Sequence, residues 1–357
     1  MCDALNLSSR RHFDTLNASS GRTEGCLRQA LSKASRRHLR LGVLLATLAG
    51  LAAAVWAFGE AGLANVAQVA RRLGPGGFLL FCLWSLGQFV ILGAAWLVAA
   101  PGTGWSRLGL FSWARMVREA VADLLPFSHL GGVVMSARAV TQAGVPIPAT
   151  YGSLLADMVT EMASQLLITL IGLALMSAIL TGSAELRPLA LGGVGVMAAT
   201  MAAFFFAQRS GLGLAGRLAQ RLVPSSVAMV KGIEAERARI FADRRRIAAS
   251  FACNLLAWFA TVTGAWLVLR LMDQPLGFGA TLSLEVLIFT LRSVAFAVPG
   301  AIGFQEAAYA LAGPLLGLPA EAALALSLAK RARDLAIGLP SLLIWQLGEA
   351  RAVVLRR

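Results

Sequence analysis

Repeated apolar stretches of about 20 residues constrain this sequence more than any other feature. A helix needs about 20 apolar residues to cross a hydrocarbon layer of about 30 Å. Hydrophobic residues make up 57% of the 357 residues and charged residues only 14%, whereas soluble domains are about 25% charged. These values exclude an ordinary water-soluble globule and predict an all-α integral membrane protein, a polytopic helical bundle with six full spans. The predicted spans are 39–59, 77–98, 150–180, 186–208, 247–270 and 320–347.

The net charge of +14 is concentrated in three segments of the sequence. Residues 1–40 carry 8 Lys/Arg against 3 Asp/Glu, residues 209–246 carry 9 against 3, and the tail 349–357 carries 3 against 1. Basic segments of multi-pass proteins stay on the cytoplasmic side, so both termini are predicted to be cytoplasmic, beside anionic lipid headgroups. No nucleic-acid partner is expected, because no recognisable module or aromatic interleaving accompanies the charge.

Two further segments, 106–140 and 280–318, are apolar in parts but contain several charged residues. Each charged residue at the centre of a lipid-facing helix costs about 2.5–3.5 kcal/mol. A re-entrant helical hairpin that is buried within the protein can carry such residues. We therefore expect two re-entrant hairpins, the first broken at Pro126 and at Gly131-Gly132, the second within Pro299–Gly303.

The two hairpins are related by an internal repeat. One offset of 173 residues takes Pro126 to Pro299, and it also takes the sequence Gly144-Val145-Pro146 to Gly317-Leu318-Pro319. Counting spans places the first hairpin on the cytoplasmic side and the second on the outer side, which predicts an inverted repeat. Paired segments interrupted by Gly and Pro indicate the central binding site of a transporter.

This repeat divides the chain into parts. The predicted regions are a disordered basic cytoplasmic leader at 1–38, a transmembrane domain at 39–347 and a basic cytoplasmic tail at 348–357. Within the domain we expect repeat one at about 39–180, repeat two at about 186–347, a basic cytoplasmic loop at 209–246 and weakly charged outer loops at 60–76, 181–185 and 271–279.

Ionisable residues line one face of two predicted spans. Asp157 and Glu161 are four residues apart, and so lie on the same helix face; the offset takes them to Lys330 and Asp334. We expect the two acids to pair with Lys330 or Arg331 of the last span. One interpretation is that such pairs only fix the helix register, and the other is that they line a hydrated cavity for a polar headgroup.

The hairpins add further candidates. Arg115, Glu119 and Asp123 are spaced by four and are expected to neutralise one another. Glu306 is expected to be an unpaired acid in an apolar stretch, and His129 either binds a headgroup, shuttles a proton or is simply hydrogen-bonded. The candidate substrate-binding residues are Arg115, Glu119, Pro126, His129, Gly131, Asp157, Glu161, Arg292, Pro299, Gly303, Glu306, Lys330 and Arg331.

Motifs of common catalytic sites are absent from the sequence. There is no GxxxxGK[ST] phosphate loop, no HExxH, no Cys/His cluster and no GxSxG nucleophile elbow. We therefore predict no enzyme activity, no catalytic residue, no metal and no cofactor.

The residues of both hairpins resemble a known family. Val298-Pro299-Gly300-Ala301-Ile302-Gly303-Phe304-Gln305-Glu306, followed by Gly317-Leu318-Pro319 and Arg331, is similar to the second-half signature of the lysylphosphatidylglycerol synthase transmembrane (flippase-like) family. The first half resembles it through Arg115, Leu125-Pro126, Gly131 and the Asp157/Glu161 span. The segment Leu124–Gly132 is similar to the branch encoded beside hopanoid biosynthesis genes in bacteria, although Gly131-Gly132 stands where many members have Gly-Glu.

The resemblance implies a bacterial inner-membrane flippase that moves a hopanoid or an anionic phospholipid between leaflets through a polar mid-membrane cavity. The alternative is a membrane-embedded subunit or scaffold of a lipid (hopanoid) modification enzyme, with lipid-biosynthesis enzymes as partners. Longer family members carry a soluble aminoacyltransferase domain after the membrane part. This sequence ends at Arg357 after its last predicted span, so lysyl transfer is not expected.

Overall fold

Helices make up almost all of the described chain, and no strand occurs within residues 54–124, 129–180, 227–294 and 301–354. The structure, a computed structural model, describes these ranges together with Leu48 and Ala52. The predicted all-α fold class is confirmed. Residues 54–61 are helical, and the α-helices that follow are α1 (Leu63–Val98), α2 (Leu108–Leu124), α3 (His129–Gln142), α4 (Ile147–Leu180), α5 (Val227–Ala242), α6 (Arg244–Leu271), α7 (Phe278–Val294), α8 (Phe304–Leu315) and α9 (Ala320–Val354).

Three helices of the described ranges are long and apolar enough to cross a membrane, namely α1, α4 and α6. They contain the predicted spans 77–98, 150–180 and 247–270. Helix α9 contains the predicted span 320–347 and has 35 residues; it also contains the charged residues Lys330, Arg331, Arg333 and Asp334 and is not one of these three. The predicted spans 39–59 and 186–208 lie largely or wholly outside the described residues, so the count of six spans stays a prediction.

Two segments that were expected to be loops contain helix. The predicted outer loop 60–76 is wrong, because α1 already begins at Leu63 and bends at Gly74, whose φ is 61°. Pro75 follows directly; a proline fits just after such a bend, because it cannot donate the intrahelical hydrogen bond. Of the predicted basic loop 209–246, the described part is also mostly helical, since it forms α5 and the first turn of α6.

Each predicted re-entrant segment is a pair of helices, α2 with α3 and α7 with α8. The predicted break at Gly131-Gly132 is wrong, because α3 begins at His129 and both glycines are helical. A Cβ atom on Gly132 would lie 2.5 Å from the carbonyl oxygen of Arg118. Glycine at this position therefore allows α2 and α3 to pack in close backbone contact. The predicted breaks at Pro126 and Pro299 lie outside the described residues.

The internal repeat is visible in the backbone. Gly144 and Gly317, 173 residues apart, both have a φ of 86°, a left-handed conformation that favours glycine. The residue after each glycine donates its N–H to a carbonyl five residues earlier, at 3.4 and 2.9 Å, which is the Schellman arrangement that ends a helix. The next helices begin at Ile147 and Ala320, again at the same offset.

The two repeats run in opposite directions. Helices α1 and α6 are equivalent, since they end at Val98 and Leu271, and they pack against each other. Arg246, near the start of α6, donates a 3.2 Å hydrogen bond to the carbonyl of Val98 at the end of α1. Midway, Gln88 donates a 2.6 Å hydrogen bond to Thr261, its equivalent in the other repeat. Equivalent helices are thus antiparallel, as an inverted repeat requires; the predicted outer limits of the repeats stay predictions.

Candidate functional site

A buried ion-pair cluster joins α2 to α4. The guanidinium of Arg115 is fully buried and donates hydrogen bonds to Asp157 Oδ2 at 3.1 Å and to Glu161 Oε1 at 2.8 Å. Arg118, one turn further along α2, donates to Glu161 Oε2 at 2.8 Å. Asp157 and Glu161 do share one helix face. Their predicted pairing with Lys330 or Arg331 is wrong, because the arginines of the neighbouring α2 reach them first.

A polar shell from α6 completes this cluster, and it was missed from the sequence. Asn254 donates to Asp157 Oδ1 at 3.1 Å and to Thr160 Oγ1 at 3.1 Å, and Thr160 is hydrogen-bonded to Ser250 at 2.8 Å. All three residues are buried. A buried charge needs such partners, so Asp157 is held by three helices at once. The available signal was a pair of polar residues, Ser250 and Asn254, spaced by four and so on one face of a mostly apolar span.

Repeat two contains a corresponding cluster of reversed polarity. Here the re-entrant helix α7 supplies the acid, Glu285, and α9 supplies the base, Lys330, and the two form an ion pair. Tyr309 of α8 donates a 2.5 Å hydrogen bond to Glu285 and accepts one from Lys330 at 3.0 Å. Lys330 is the offset equivalent of Asp157, so these two positions carry opposite charges, whereas Glu161 and its equivalent Asp334 are both acids.

Glu306 is not the unpaired acid that was expected. Its carboxylate accepts a 2.6 Å hydrogen bond from the N–H of Gly303, the residue before α8, and a 3.1 Å hydrogen bond from Arg331. Gly303 has a φ of 83°, which is why glycine suits this helix start. An acid in the first turn also interacts favourably with the helix dipole. Glu306 therefore ties α8 to α9.

One ion pair connects the re-entrant helices of the two repeats. Asp123, at the end of α2, pairs with Arg292, near the end of α7, at 2.7 Å. The expected neutralisation of Asp123 by Arg115 is therefore wrong, although Arg115 does lie 3.9 Å from Glu119. The side chains of Asp123 and Arg292 are 25% and 26% exposed, so the junction between the repeats is accessible and polar.

The remaining charges around this junction come from α9. Arg333 pairs with Asp334, donates to Ser85 of α1 at 3.4 Å and stands over the ring of Phe81. Arg331, which bonds Glu306, keeps 21% of its side chain exposed. Asp334 and Arg333 interact electrostatically with Asp123 and Arg292, so acids and bases alternate around the junction.

The other sequence candidates lie as follows. His129 begins α3 and Gly131 lies in the first turn of that helix; Pro126 and Pro299 fall outside the described residues. Glu119 is the most exposed member of the first cluster, at 34%. The structure thus brings together Arg115, Glu119, Asp157 and Glu161 in repeat one. In repeat two Lys330 pairs with Glu285 and Arg331 pairs with Glu306, and Arg292 joins the repeats through Asp123.

Comparison with known proteins gives one match. A family model described as lysylphosphatidylglycerol synthase TM region matches residues 41–340, which is most of the chain. No curated protein matches, and no solved structure does so either. The matched range contains all of α1 to α8 and the ion pairs of both repeats.

Proposed function

Since the chain belongs to the family described as lysylphosphatidylglycerol synthase TM region, a membrane domain linked to lipid-related functions, we propose that it moves lipids between the two leaflets of a membrane. The resemblance of its hairpins to the hopanoid-associated branch favours a hopanoid or an anionic phospholipid as substrate. It also favours the bacterial inner membrane, with both termini cytoplasmic, as the location. We propose no covalent chemistry for the protein.

The observation that carries this proposal is the accessible ion pair between Asp123 and Arg292. These residues end the re-entrant helices of two antiparallel repeats, and each keeps about a quarter of its side chain exposed. An ion pair that is partly in water contributes less than about 1 kcal/mol to stability, so stability alone gives little reason for this pair. A polar junction between two inverted repeats is where transporters of this architecture bind their substrates.

The chemistry of the junction suits a lipid headgroup. A phosphate needs charge-assisted hydrogen bonds to replace its water in the membrane interior, and arginine supplies these in bidentate form. Arg292 and Arg331 are both partly exposed. Their present partners, Asp123 and Glu306, are carboxylates that a phosphate can replace. The acids remain available for any positive or hydroxylated part of the headgroup.

Reconstitution into liposomes tests the proposal. Fluorescent phosphatidylglycerol, phosphatidylcholine and a labelled hopanoid are offered in separate vesicles, and exchange between leaflets is followed by chemical quenching of the outer leaflet. We expect faster exchange than in protein-free vesicles for the first or the third lipid. Arg292→Gln is expected to slow that exchange at least tenfold. Arg239→Gln is the matched control, because Arg239 is 71% exposed and lies on α5, away from the junction.

Folding and transport must be separated in this experiment. Arg292→Gln leaves Asp123 partly in water, so the variant is expected to melt close to the parent, and Arg331→Gln provides a second variant at the other exposed base. Exchange at the protein-free rate for all three lipids would refute the transporter proposal. It would favour the alternative, a scaffold or subunit of a lipid-modifying enzyme, which copurification of such an enzyme would then identify.

A further inference from the structure

A cavity of about 290 Å³ lies where α5 meets α6, on the side of α4. Its walls are apolar and include Val159 and Ala163 of α4, Phe241 of α5 and Phe251 of α6. Val159 is 42% exposed and Phe241 is 37% exposed, so the cavity opens to the outside of the helix bundle. In a membrane protein that outside is lipid. We call this feature the elbow cavity.

The rim of the elbow cavity carries an arginine, Arg244. Arg244 begins α6 and lines the cavity. Its neighbours on the same elbow are paired, Arg246 with Asp243 at 3.1 Å and Arg239 with Glu236 at 3.5 Å. Arg244 is exposed and forms no ion pair within the described ranges. The guanidinium of Arg244 therefore lies at the rim of the apolar elbow cavity, where it is available to bind an anion.

The position of the arginines at the start of α6 places the rim of the elbow cavity at the membrane surface. Apolar residues of α6 begin at Ile247, directly after the three arginines 244–246, and α1 ends nearby at Val98, whose carbonyl accepts from Arg246. The three arginines therefore lie at headgroup depth, and the cavity extends from there toward the hydrocarbon. Bases at this depth attract anionic lipids, by about 1 kcal/mol each.

We propose that the elbow cavity binds one anionic phospholipid of the leaflet on the arginine side. Its phosphate bonds Arg244, and part of one acyl chain lies against Val159, Ala163 and Phe251. The volume is at the small end of ligand pockets, so the cavity holds a stretch of chain and leaves the rest in the bilayer. This site is separate from the junction at Asp123 and Arg292, and it does not depend on transport.

The inner wall of the elbow cavity contacts the buried cluster of repeat one. Thr160 lines the cavity, and its hydroxyl also bonds Ser250 and Asn254. Asn254 in turn donates to Asp157. A lipid in the cavity therefore packs against the shell that positions Asp157, and we expect its binding to stabilise the folded protein.

Native mass spectrometry of the full chain tests this site. The protein is released from nanodiscs that contain phosphatidylglycerol and phosphatidylcholine with identical chains. We expect one phosphatidylglycerol to be retained preferentially, and Arg244→Gln to reduce that retention at least fivefold. Arg245→Gln is the matched control, because Arg245 is equally exposed and adjacent but does not line the cavity; it is expected to stay within twofold of the parent.

Two further measurements distinguish a lipid-binding site from a general attraction of anions to the positive charge of this region. Ala163→Phe fills the apolar part of the cavity and keeps Arg244, so this variant is also expected to lose the retention of phosphatidylglycerol. Ala248→Phe repeats the test from the side of α6. Thermal melting checks that both variants fold. Equal losses in Arg244→Gln and Arg245→Gln, or equal retention of phosphatidylcholine, would overturn the proposal. Displacement of the lipid by millimolar glycerol phosphate would also overturn it, by indicating a site for free anions.

Discussion

Replacing Arg115 with glutamine tests whether the ion-pair cluster of repeat one holds the fold together. Arg115 has no exposed side-chain surface and makes three charge-assisted hydrogen bonds of 2.8–3.1 Å to Asp157 and Glu161. Removing one partner of a buried pair costs about 3–5 kcal/mol, because the other charge stays buried without compensation. At about 2–4 °C per kcal/mol, Arg115→Gln is expected to melt roughly 6–20 °C below the parent.

The chain's own cysteines provide the assay. Cys82 and Cys253 lie in α1 and α6 and are partly buried, so a thiol-reactive fluorophore reports their exposure as the protein unfolds. Cys2 and Cys26, near the N-terminus, are replaced by serine in every variant so that they give no background.

Two matched variants complete this experiment. Arg118→Gln removes one hydrogen bond from a side chain that is 14% exposed, and we expect a clearly smaller decrease than for Arg115→Gln. Arg239→Gln breaks a surface pair, worth less than about 1 kcal/mol, and is expected to lower the melting temperature by no more than about 4 °C. If Arg115→Gln melts within 1–2 °C of the parent, or no lower than Arg239→Gln, the argument from burial is wrong.

Three further substitutions test the fold. Gly132→Val is expected to prevent the close packing of α2 and α3 and to lower the folded yield, whereas Gly109→Val, with open space around the position, is tolerated; equal yields would contradict this. Gly144→Ala is expected to cost about 1–2 kcal/mol in thermal or denaturant unfolding, because its φ is 86° and alanine is strained there. Cysteines at Gln88 and Thr261 are expected to cross-link on oxidation, seen as altered gel mobility; no cross-link in the folded protein would argue against antiparallel α1 and α6.

The backbone of the repeat was predictable because it depends on local chemistry. Both halves contain a glycine that must adopt a positive φ, followed two residues later by a proline that directly precedes the next helix. The offset of 173 residues derived from Gly144, Gly317 and their prolines also relates the starts of α4 and α9; the predicted span 320–347 begins at the first residue of α9, whereas 150–180 begins three residues inside α4. The end of α1 at Val98 was predicted, but its start was not, because the helix continues through the bend at Gly74 back to Leu63.

The choice of partner was not predictable from the same patterns. Spacing by four residues shows which side chains share a helix face, but not which neighbouring helix that face meets. The acids of α4 were therefore assigned to α9, whereas the long side chains of Arg115 and Arg118 on α2 reach them. Asn254 and Tyr309 were missed for a related reason, because one polar residue in an apolar run becomes informative only when the partner that it satisfies is known.

Helix packing and charge pairing follow different routes in this fold. The re-entrant helices pack against the long helices of the opposite repeats: a Cβ atom on Gly338 of α9 would lie 2.9 Å from Leu124 of α2, and Ser283 of α7 donates a 3.1 Å hydrogen bond to the carbonyl of Gly172 on α4. The ion pairs instead stay within each repeat, from Arg115 to Asp157 and from Glu285 to Lys330. These pairs reverse in sign between the repeats, so an exchange of partners would bring like charges together, which is unfavourable. Packing therefore interlocks the two repeats while charge keeps each cluster within its own repeat, and a headgroup can separate the accessible pair of Asp123 and Arg292 without disturbing either cluster.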